Sequence, residues 1–190
     1  CVVCRPVQMC IGDGIFGDAR LDIPAAWARL FEVACCNPAL TFFVDGERLD
    51  GRLGGASFLA ATAPPESDRW PRRPMGVRVS CENVGVRLAV QWMERGPGEI
   101  HGFANQQPCN GAHIQGFLSG LLAGARTAGC GLAPADRVAL EQLQEGLRAW
   151  VEVEVLDLKF AGPTRSTIVS TAARTAVREV TERWMGALLR

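Results

Sequence analysis

The chain has 190 residues, enough for one domain with a substantial core or for one domain with a small appendage. Its 20 basic and 20 acidic residues cancel, so no overall field attracts nucleic acid or an anionic membrane, and any contact with DNA must be local. No apolar run approaches the roughly 18 residues of a membrane helix, and no signal peptide is visible. The sequence therefore predicts a cytoplasmic globular protein.

The eight cysteines raise the question of a metal site. Cys1, Cys4 and Cys10 could begin a zinc site, but there is no second C-x-x-C and the chain has only two histidines. Because structural zinc normally takes four ligands, we predict no metal and interpret the cysteines as reduced, mostly buried thiols. Gly12–Gly17 matches G-x-G-x-x-G but lacks the flanking strand and helix of a dinucleotide site, so it is interpreted as a loop.

The first half of the chain predicts one long helix and a hairpin. Asp22 is placed to cap a helix that ends at Asn37-Pro38. Residues 41–44 form a predicted strand, followed by an Asp45-Gly46 turn. Residues 48–74 are interpreted as a connector with a short helix at 56–62. This connector contains Trp70 among three arginines, a basic and aromatic spot that is either an interaction site or a plain linker.

The second half alternates strands and helices. Val86, Leu88, Val90 and Trp92 recur with the period of a half-buried strand, as do Val151, Val153 and Val155 with Glu152 and Glu154 on the other face. This order of elements predicts an α/β (α+β) sandwich, a mixed sheet with helices on one face. The predicted strands are 77–81, 84–92, 99–104 and 150–156; the predicted helices are 112–127, 135–147 and 171–189, with a loop at 157–170.

Four segments, in the same order, resemble the ATPase subunits of type IIA topoisomerases, the gyrase B and topoisomerase IV type. Arg29–Leu40 is similar to "RLRELAFLNPGL", and Glu145–Leu147 to the end of "REGL". Residues 103–117 resemble "F-x-N-N … G-G-T-H-x-x-G-F", and Asp157–Arg165 resembles "D-P-x-F-x-G-Q-T-K". The signature residues retained are Asn105, Gly111, His113, Gly116 and Phe117.

The resemblance implies a transducer domain with the fold of the second domain of ribosomal protein S5. Residues 1–50 then correspond to a remnant of the ATP-binding domain, 51–74 to a connector and 75–190 to the transducer. In the family the last loop contacts the γ-phosphate through Gln and Lys. Here Pro163 and Arg165 replace them and Thr164 is kept, so Thr164 and Arg165 are the residual phosphate residues that the resemblance implies.

The nucleotide chemistry of the family is predicted to be lost. The catalytic Glu, the Mg-binding Asn and the adenine loop have no counterpart before residue 20, although Arg5–Asp13 echoes "RP-x-MYIGD". That echo is compatible with a deleted nucleotide core or with a degenerate strand. We therefore predict no bound ATP or Mg and no independent ATPase or DNA cleavage, the latter because the chain has no tyrosine to serve as the nucleophile.

Three functions follow from this resemblance. The leading hypothesis is a non-catalytic binding protein whose partner is a topoisomerase subunit or a second copy of itself. The second is a fragment or split subunit of a working topoisomerase, since the chain starts at Cys1 without Met. The third is a small-molecule-binding or resistance protein that uses the vacated nucleotide cleft.

Two further residue sets each allow two interpretations. Arg174 and Arg178 on the last helix could contact DNA or a partner, or could belong to a solvated face with an Arg178–Glu182 ion pair. Cys109 and His113 are four residues apart, but a catalytic dyad also needs an orienting group and a pocket, so His113 is interpreted as a structural residue at the start of a helix.

Overall fold

The computed structural model describes residues 22–64, 68–81 and 83–190. Helix α1 (Ile23–Cys36) begins as predicted, because the Asp22 side chain accepts a hydrogen bond from the Ala25 N–H at 3.1 Å. A hairpin of β1 (Phe42–Val44) and β2 (Glu47–Leu49) follows, and then the short helix α2 (Gly55–Ala61). The sequence predicts β1, the turn and α2, whereas β2 extends into the predicted connector.

The central sheet has five strands and mixed direction. Its members are β3 (Arg69–Cys81), β4 (Val84–Met93), β5 (Glu99–Ala104), β6 (Gln107–Pro108) and β8 (Leu147–Val155). They lie in the order β3, β4, β8, β5, β6, and all neighbours are antiparallel except the parallel pair β8 and β5. A separate parallel pair joins β7 (Asn110–Gly111) to β9 (Thr167–Ile168). The predicted α/β class with a mixed sheet is confirmed.

One face of the sheet is covered by helices α3 (Ala112–Thr127) and α5 (Thr171–Leu188), with α4 (Asp136–Gln144) beside α3. Leu88, Val90, Val151 and Val153 pack there against Phe117 and Val177 in the larger core. The opposite face is not open to solvent. Helices α1 and α2 cover it through a second cluster that contains Cys35, Phe58, Phe103 and Trp150. None of the described helices is long and apolar enough to cross a membrane.

Strand β3 begins earlier than predicted. The structure places Trp70 in β3, so the loop prediction for residues 69–74 is wrong. Trp70 pairs with Trp92 and Met75 with Val90, so β3 advances five residues while β4 advances two. Prolines at 71 and 74 hide this strand from sequence analysis, because proline interrupts a ladder and is tolerated at an edge or a bulge.

The predicted helix over 135–147 ends earlier, at Gln144. Gly146 has φ +68°, and a Cβ there would lie 2.1 Å from the Met93 carbonyl oxygen. The chain turns at this glycine because other residues would clash with the backbone of β4. The predicted strand consequently starts at Leu147, three residues early.

Helices α3 and α5 touch backbone to backbone. A Cβ placed on Gly116, Gly120 or Gly124 would lie 2.3, 2.4 or 2.7 Å from the carbonyl oxygens of Arg174, Arg178 and Glu182. Both sets recur every four residues, so one stripe of α3 fits along one stripe of α5. The two helices can therefore lie this close only because glycine has no side chain. We call these three glycines the glycine stripe of α3.

We expect Gly120→Ala to lower the free energy of unfolding by about 2 kcal/mol, because its methyl group would force the helices apart. Urea denaturation measures this change. The matched control is Gly186→Ala, also within a helix, where the nearest atom to a new Cβ is 3.7 Å away. That variant should be neutral or up to about 1 kcal/mol more stable, since alanine favours helix. Equal losses in both variants would contradict the contact.

Candidate functional site

The loop between β8 and α5 folds back on itself. Val169 N donates to the Lys159 carbonyl at 2.9 Å, and Ala161 N donates to the Thr167 carbonyl at 2.9 Å. Ile168 is buried and anchors the base of the loop. The loop is thus a short hairpin with its tip at residues 162–165, held by pairing of β9 with β7.

Gly111 connects this hairpin to helix α3. It has φ +114°, and a Cβ there would lie 2.2 Å from the Ile168 carbonyl oxygen, so only glycine fits. The first residue of α3 follows directly. The backbone at the base of the hairpin therefore contacts the residue that precedes α3 directly, and a displacement of the base would push on the start of this helix.

Thr164 and Arg165 lie at the exposed tip. The hydroxyl groups of Thr164 and Ser166 are 3.1 Å apart, and the Arg165 guanidinium lies 6.0 Å from the centre of the Phe160 ring. This distance is typical of a cation–π contact. Both residues line a surface pocket of about 790 Å³, together with Asn105, Asp157 and Leu158.

Asn105 closes the other side of that pocket. Its side-chain amide donates to the Val155 carbonyl at 2.8 Å and its oxygen accepts from the Val155 N–H at 2.9 Å. The neighbouring Gln106 meets helix α1, where Arg29 donates to its carbonyl at 2.9 Å and Asn37 to its side chain at 3.0 Å. The segment that resembles "RLRELAFLNPGL" therefore touches the segment that carries Asn105.

The remaining signature residues are internal. His113, Gly116 and Phe117 lie in the first two turns of α3 and are buried. Phe117 is in the larger core, and Gly116 contacts α5. The structure thus brings Asn105, Thr164 and Arg165 to one pocket and places the other signature residues behind it.

His113 is buried as a neutral group. Its ring has no hydrogen-bond partner of good geometry among the described residues, and burial lowers its pKa to about 4 although the Cys109 backbone opposes the shift. Burial also raises the pKa of Cys109 to about 11. A thiolate–imidazolium dyad would need the opposite shifts, so the structural interpretation of His113 fits this geometry.

Arg174 and Arg178 are exposed on α5, beside a second surface pocket of about 470 Å³ that also contains Ser119 and Glu182. The predicted Arg178–Glu182 ion pair is wrong: within the described ranges no such pair forms at 4.0 Å or less. The two arginines keep their charge available to solvent.

Sequence analysis missed a set of buried charges under α1 and α2. Arg87 donates to the Cys36 carbonyl, lies 3.2 Å from Glu152 and pairs with Glu154. Arg148 donates to the Leu59 carbonyl at 3.0 Å and the Thr62 hydroxyl at 2.6 Å. Burial raises the pKa of Glu152, and Arg87 opposes this shift. The two arginines therefore bind the carboxyl-terminal ends of α1 and α2.

In the part of the chain that the structure describes, no three His, Cys, Asp or Glu side chains converge to hold a metal ion. The five cysteines there are free, and Cys35, Cys36 and Cys109 are buried, as predicted for thiols. The Cys1, Cys4 and Cys10 cluster, the Arg5–Asp13 echo and the Gly12–Gly17 loop lie outside the described residues.

Comparison with known proteins agrees with this architecture. The sequence profile of DNA gyrase B matches residues 56–190. The gyrase B protein of Thermus thermophilus is 31% identical, with 87% of this chain and 28% of that protein covered. The structure of the Thermus thermophilus 43K ATPase domain of gyrase B in complex with an aminocoumarin superposes with a TM-score of 0.73 at 28% identity, covering 94% of this chain and 51% of that one.

A further similar structure is the B-subunit of DNA gyrase from Myxococcus xanthus. Its TM-score is 0.70 at 28% identity, with 88% of this chain and 56% of that chain covered. The fold and the signature thus define a type IIA topoisomerase B-subunit region, and the chain belongs to the DNA gyrase B family. It spans 28% of the length of the Thermus protein.

The contact at Gly111 predicts a change in protease sensitivity. Gly111→Ala should separate β9 from β7 and release the hairpin, so trypsin should cut faster after Lys159 and Arg165. Gly162→Ala is the matched control, because no atom lies within 4 Å of a Cβ built there. Mass spectrometry of timed digests gives the cleavage rates. Unchanged cleavage in a folded Gly111→Ala protein would disprove the anchoring role.

Burial of neutral His113 predicts acid sensitivity. Its folded pKa of about 4 lies below the ordinary value of 6.5, so the unfolded state binds the extra proton and stability is lost as the pH falls from 6.5 towards 4. When the pH is lowered from about 7 to about 5, protonation of this histidine in the unfolded state should lower the free energy of unfolding by about 2 kcal/mol. Urea denaturation at the two pH values measures this change. In the His113→Gln variant this loss of unfolding free energy between about pH 7 and about pH 5 should vanish. In the control variant His101→Gln the same loss should remain.

Proposed function

We propose that the chain is the transducer region of a gyrase B-type topoisomerase subunit, and that it acts by binding and coupling without hydrolysing ATP itself. In this proposal it works in the cytoplasm with a protein partner, either another topoisomerase subunit or a second copy. The relatives are themselves designated subunits, which supports a protein partner.

The path from the hairpin tip to α3 carries this proposal. Thr164 and Arg165 present a hydroxyl and a guanidinium at the pocket, and the base of the same hairpin contacts Gly111 directly before α3. Helix α3 in turn packs on α5 through the glycine stripe. A ligand that moves the tip would thus move two rigid helices, which is the physical requirement for coupling.

The same tip argues against ATP hydrolysis by this chain. Pro163 has no side-chain donor for phosphate, and Arg165 alone supplies a positive charge there. Phosphoryl transfer also requires bound metal ions and a residue that orients the nucleophile. Loss of bound ATP and Mg is therefore part of the proposal.

Isothermal titration calorimetry with Mg and ATP tests this point. We expect no binding in the micromolar range and no release of phosphate above the level of an Arg165→Ala variant, because a single guanidinium lacks the rest of a nucleotide site. Micromolar binding of ATP would overturn the non-catalytic proposal. Co-purification with a gyrase A-type protein would support the partner, and failure of both gyrase A binding and self-association would contradict it.

A second candidate function is that of one section of a working ATP-dependent type II topoisomerase. The coverage favours it, since the chain matches 28% of the Thermus protein and 51% of its 43K domain. The upstream reading frame separates the two candidates. An adjoining ATP-binding domain in that frame would support this second candidate function. A start codon beside Cys1 would contradict it.

A further inference from the structure

Helix α1 enters the hydrophobic core at its carboxyl-terminal end. Its buried residues are the last three, Ala34, Cys35 and Cys36, out of fourteen, and the rest of the helix is partly or fully exposed. A helix of this length is marginally stable in water by itself. The earlier turns of α1 therefore depend on individual contacts with the sheet rather than on core packing.

Two hydrogen bonds join α1 to one residue of the sheet edge, Gln106. Arg29, in the middle of the helix, donates to the Gln106 carbonyl at 2.9 Å, and Asn37, at its end, donates to the Gln106 side-chain oxygen at 3.0 Å. Both donors are oriented from within α1, because Arg29 also pairs with Glu32 at 2.8 Å and Asn37 also donates to the Val33 carbonyl at 2.8 Å. A single residue thus receives bonds from half the length of the helix.

Gln106 has a backbone conformation that glutamine rarely adopts. Asn105 and Gln106 form the two-residue loop between β5 and β6, with φ +47° and +69°. Loops of this kind, with positive φ at both positions, strongly favour asparagine followed by glycine. Glutamine in the place of that glycine lowers the stability of the hairpin, because its Cβ crowds the backbone. What glutamine supplies and glycine cannot is the side-chain oxygen that binds α1.

The other residue of the loop faces the pocket at the hairpin tip. Asn105 lines the pocket of about 790 Å³ that also contains Thr164 and Arg165. Its side chain bonds to both the N–H and the carbonyl of Val155, at 2.9 and 2.8 Å. Because Asn105 and Gln106 share one planar peptide group, a rotation of Asn105 turns the backbone of Gln106 with it. The loop is thus attached to the pocket on one side and to α1 on the other.

We propose that the Asn105–Gln106 loop is a conformational latch, a contact that holds or releases α1 according to the state of the pocket. Gln106 is a positioning residue that keeps α1 against the sheet, and Asn105 makes this hold depend on the pocket wall. A ligand that displaces Asn105 from Val155 would turn the loop and release the helix. This regulation goes beyond the proposed binding function and is tested without any ligand, so either can fail without the other.

Hydrogen exchange of the intact chain, followed by mass spectrometry, tests the hold on α1. Gln106→Gly removes the bond to Asn37 and suits the positive φ, so the amides of α1 should exchange about three- to tenfold faster, as expected for the loss of one hydrogen bond. Exchange in β4 and the Tm should change little, since the loss of the bond and the relief of the backbone oppose each other. Unchanged exchange in α1 would overturn the proposal, and so would equal acceleration in α1 and β4.

Two matched variants separate the latch from a general effect. Gln106→Glu keeps an acceptor oxygen for Asn37, and α1 should then stay within about twofold of its original exchange rate. Asp45→Gly makes a comparable replacement at another residue of positive φ, +49°, in the β1–β2 hairpin, and should leave exchange in α1 unchanged. Failure of the glutamate to restore protection, or faster exchange in α1 with Asp45→Gly, would contradict the role of Gln106.

A double-variant cycle checks that Asn37 and Gln106 act through one bond. Asn37→Ala combined with Gln106→Gly should exchange in α1 no faster than Asn37→Ala alone, because both substitutions remove the same contact. Additive acceleration would overturn the assignment.

Asn105→Gly tests the coupling to the pocket. Glycine accepts the positive φ but loses the bonds to Val155, while the groups that bind α1 remain on Arg29, Asn37 and Gln106. We expect exchange in α1 to become at least about threefold faster, with β4 unchanged as the internal reference. If α1 keeps its original exchange rate in this variant, the pocket and the helix are independent and the coupling is disproved.

Discussion

Strand β8 is buried on both faces, and this double burial constrains the rest of the molecule. Val151 and Val153 face α3 and α5, while Trp150 and Glu152 face α1 and α2. A buried charge without a partner costs several kcal/mol, so the polar residues on the second face must be satisfied. Arg87 and the carbonyls at the ends of α1 and α2 meet that requirement, and thereby fix where the first two helices lie.

Local patterns predicted the elements well, and long-range contacts explain the failures. The alternation in residues 150–155 predicts a strand and its valine face. It also predicted that Glu152 and Glu154 lie on the opposite face, and charged residues there normally meet water. Glu152 can be buried because it pairs with Arg87, 65 residues away, and accepts a hydrogen bond from the Trp150 indole N–H at 3.2 Å. No local pattern encodes the pairing with Arg87. The early start of β3 was hidden for a similar reason, since the bulge depends on Gln91.

The signature residues that identify the family mainly stabilise the fold. Gly111 and Gly116 are required because a Cβ would clash with backbone, Phe117 fills the core and Asn105 joins two strands. Sequence patterns pointed to these residues but could not assign their roles, because each role lies in a contact with a distant segment. Thr164 and Arg165 differ from them, since both are exposed.

The glycine stripe of α3 also sets how the two helices could move. Glycines and opposing carbonyls both recur every four residues, so the surfaces fit in discrete positions and clash between them. Adjacent positions are four residues apart along the helix, about 6 Å or slightly more than one turn. A sliding motion of α5 along α3 would therefore proceed as a ratchet with a step of four residues, and smaller strains would move both helices together as a single rigid body.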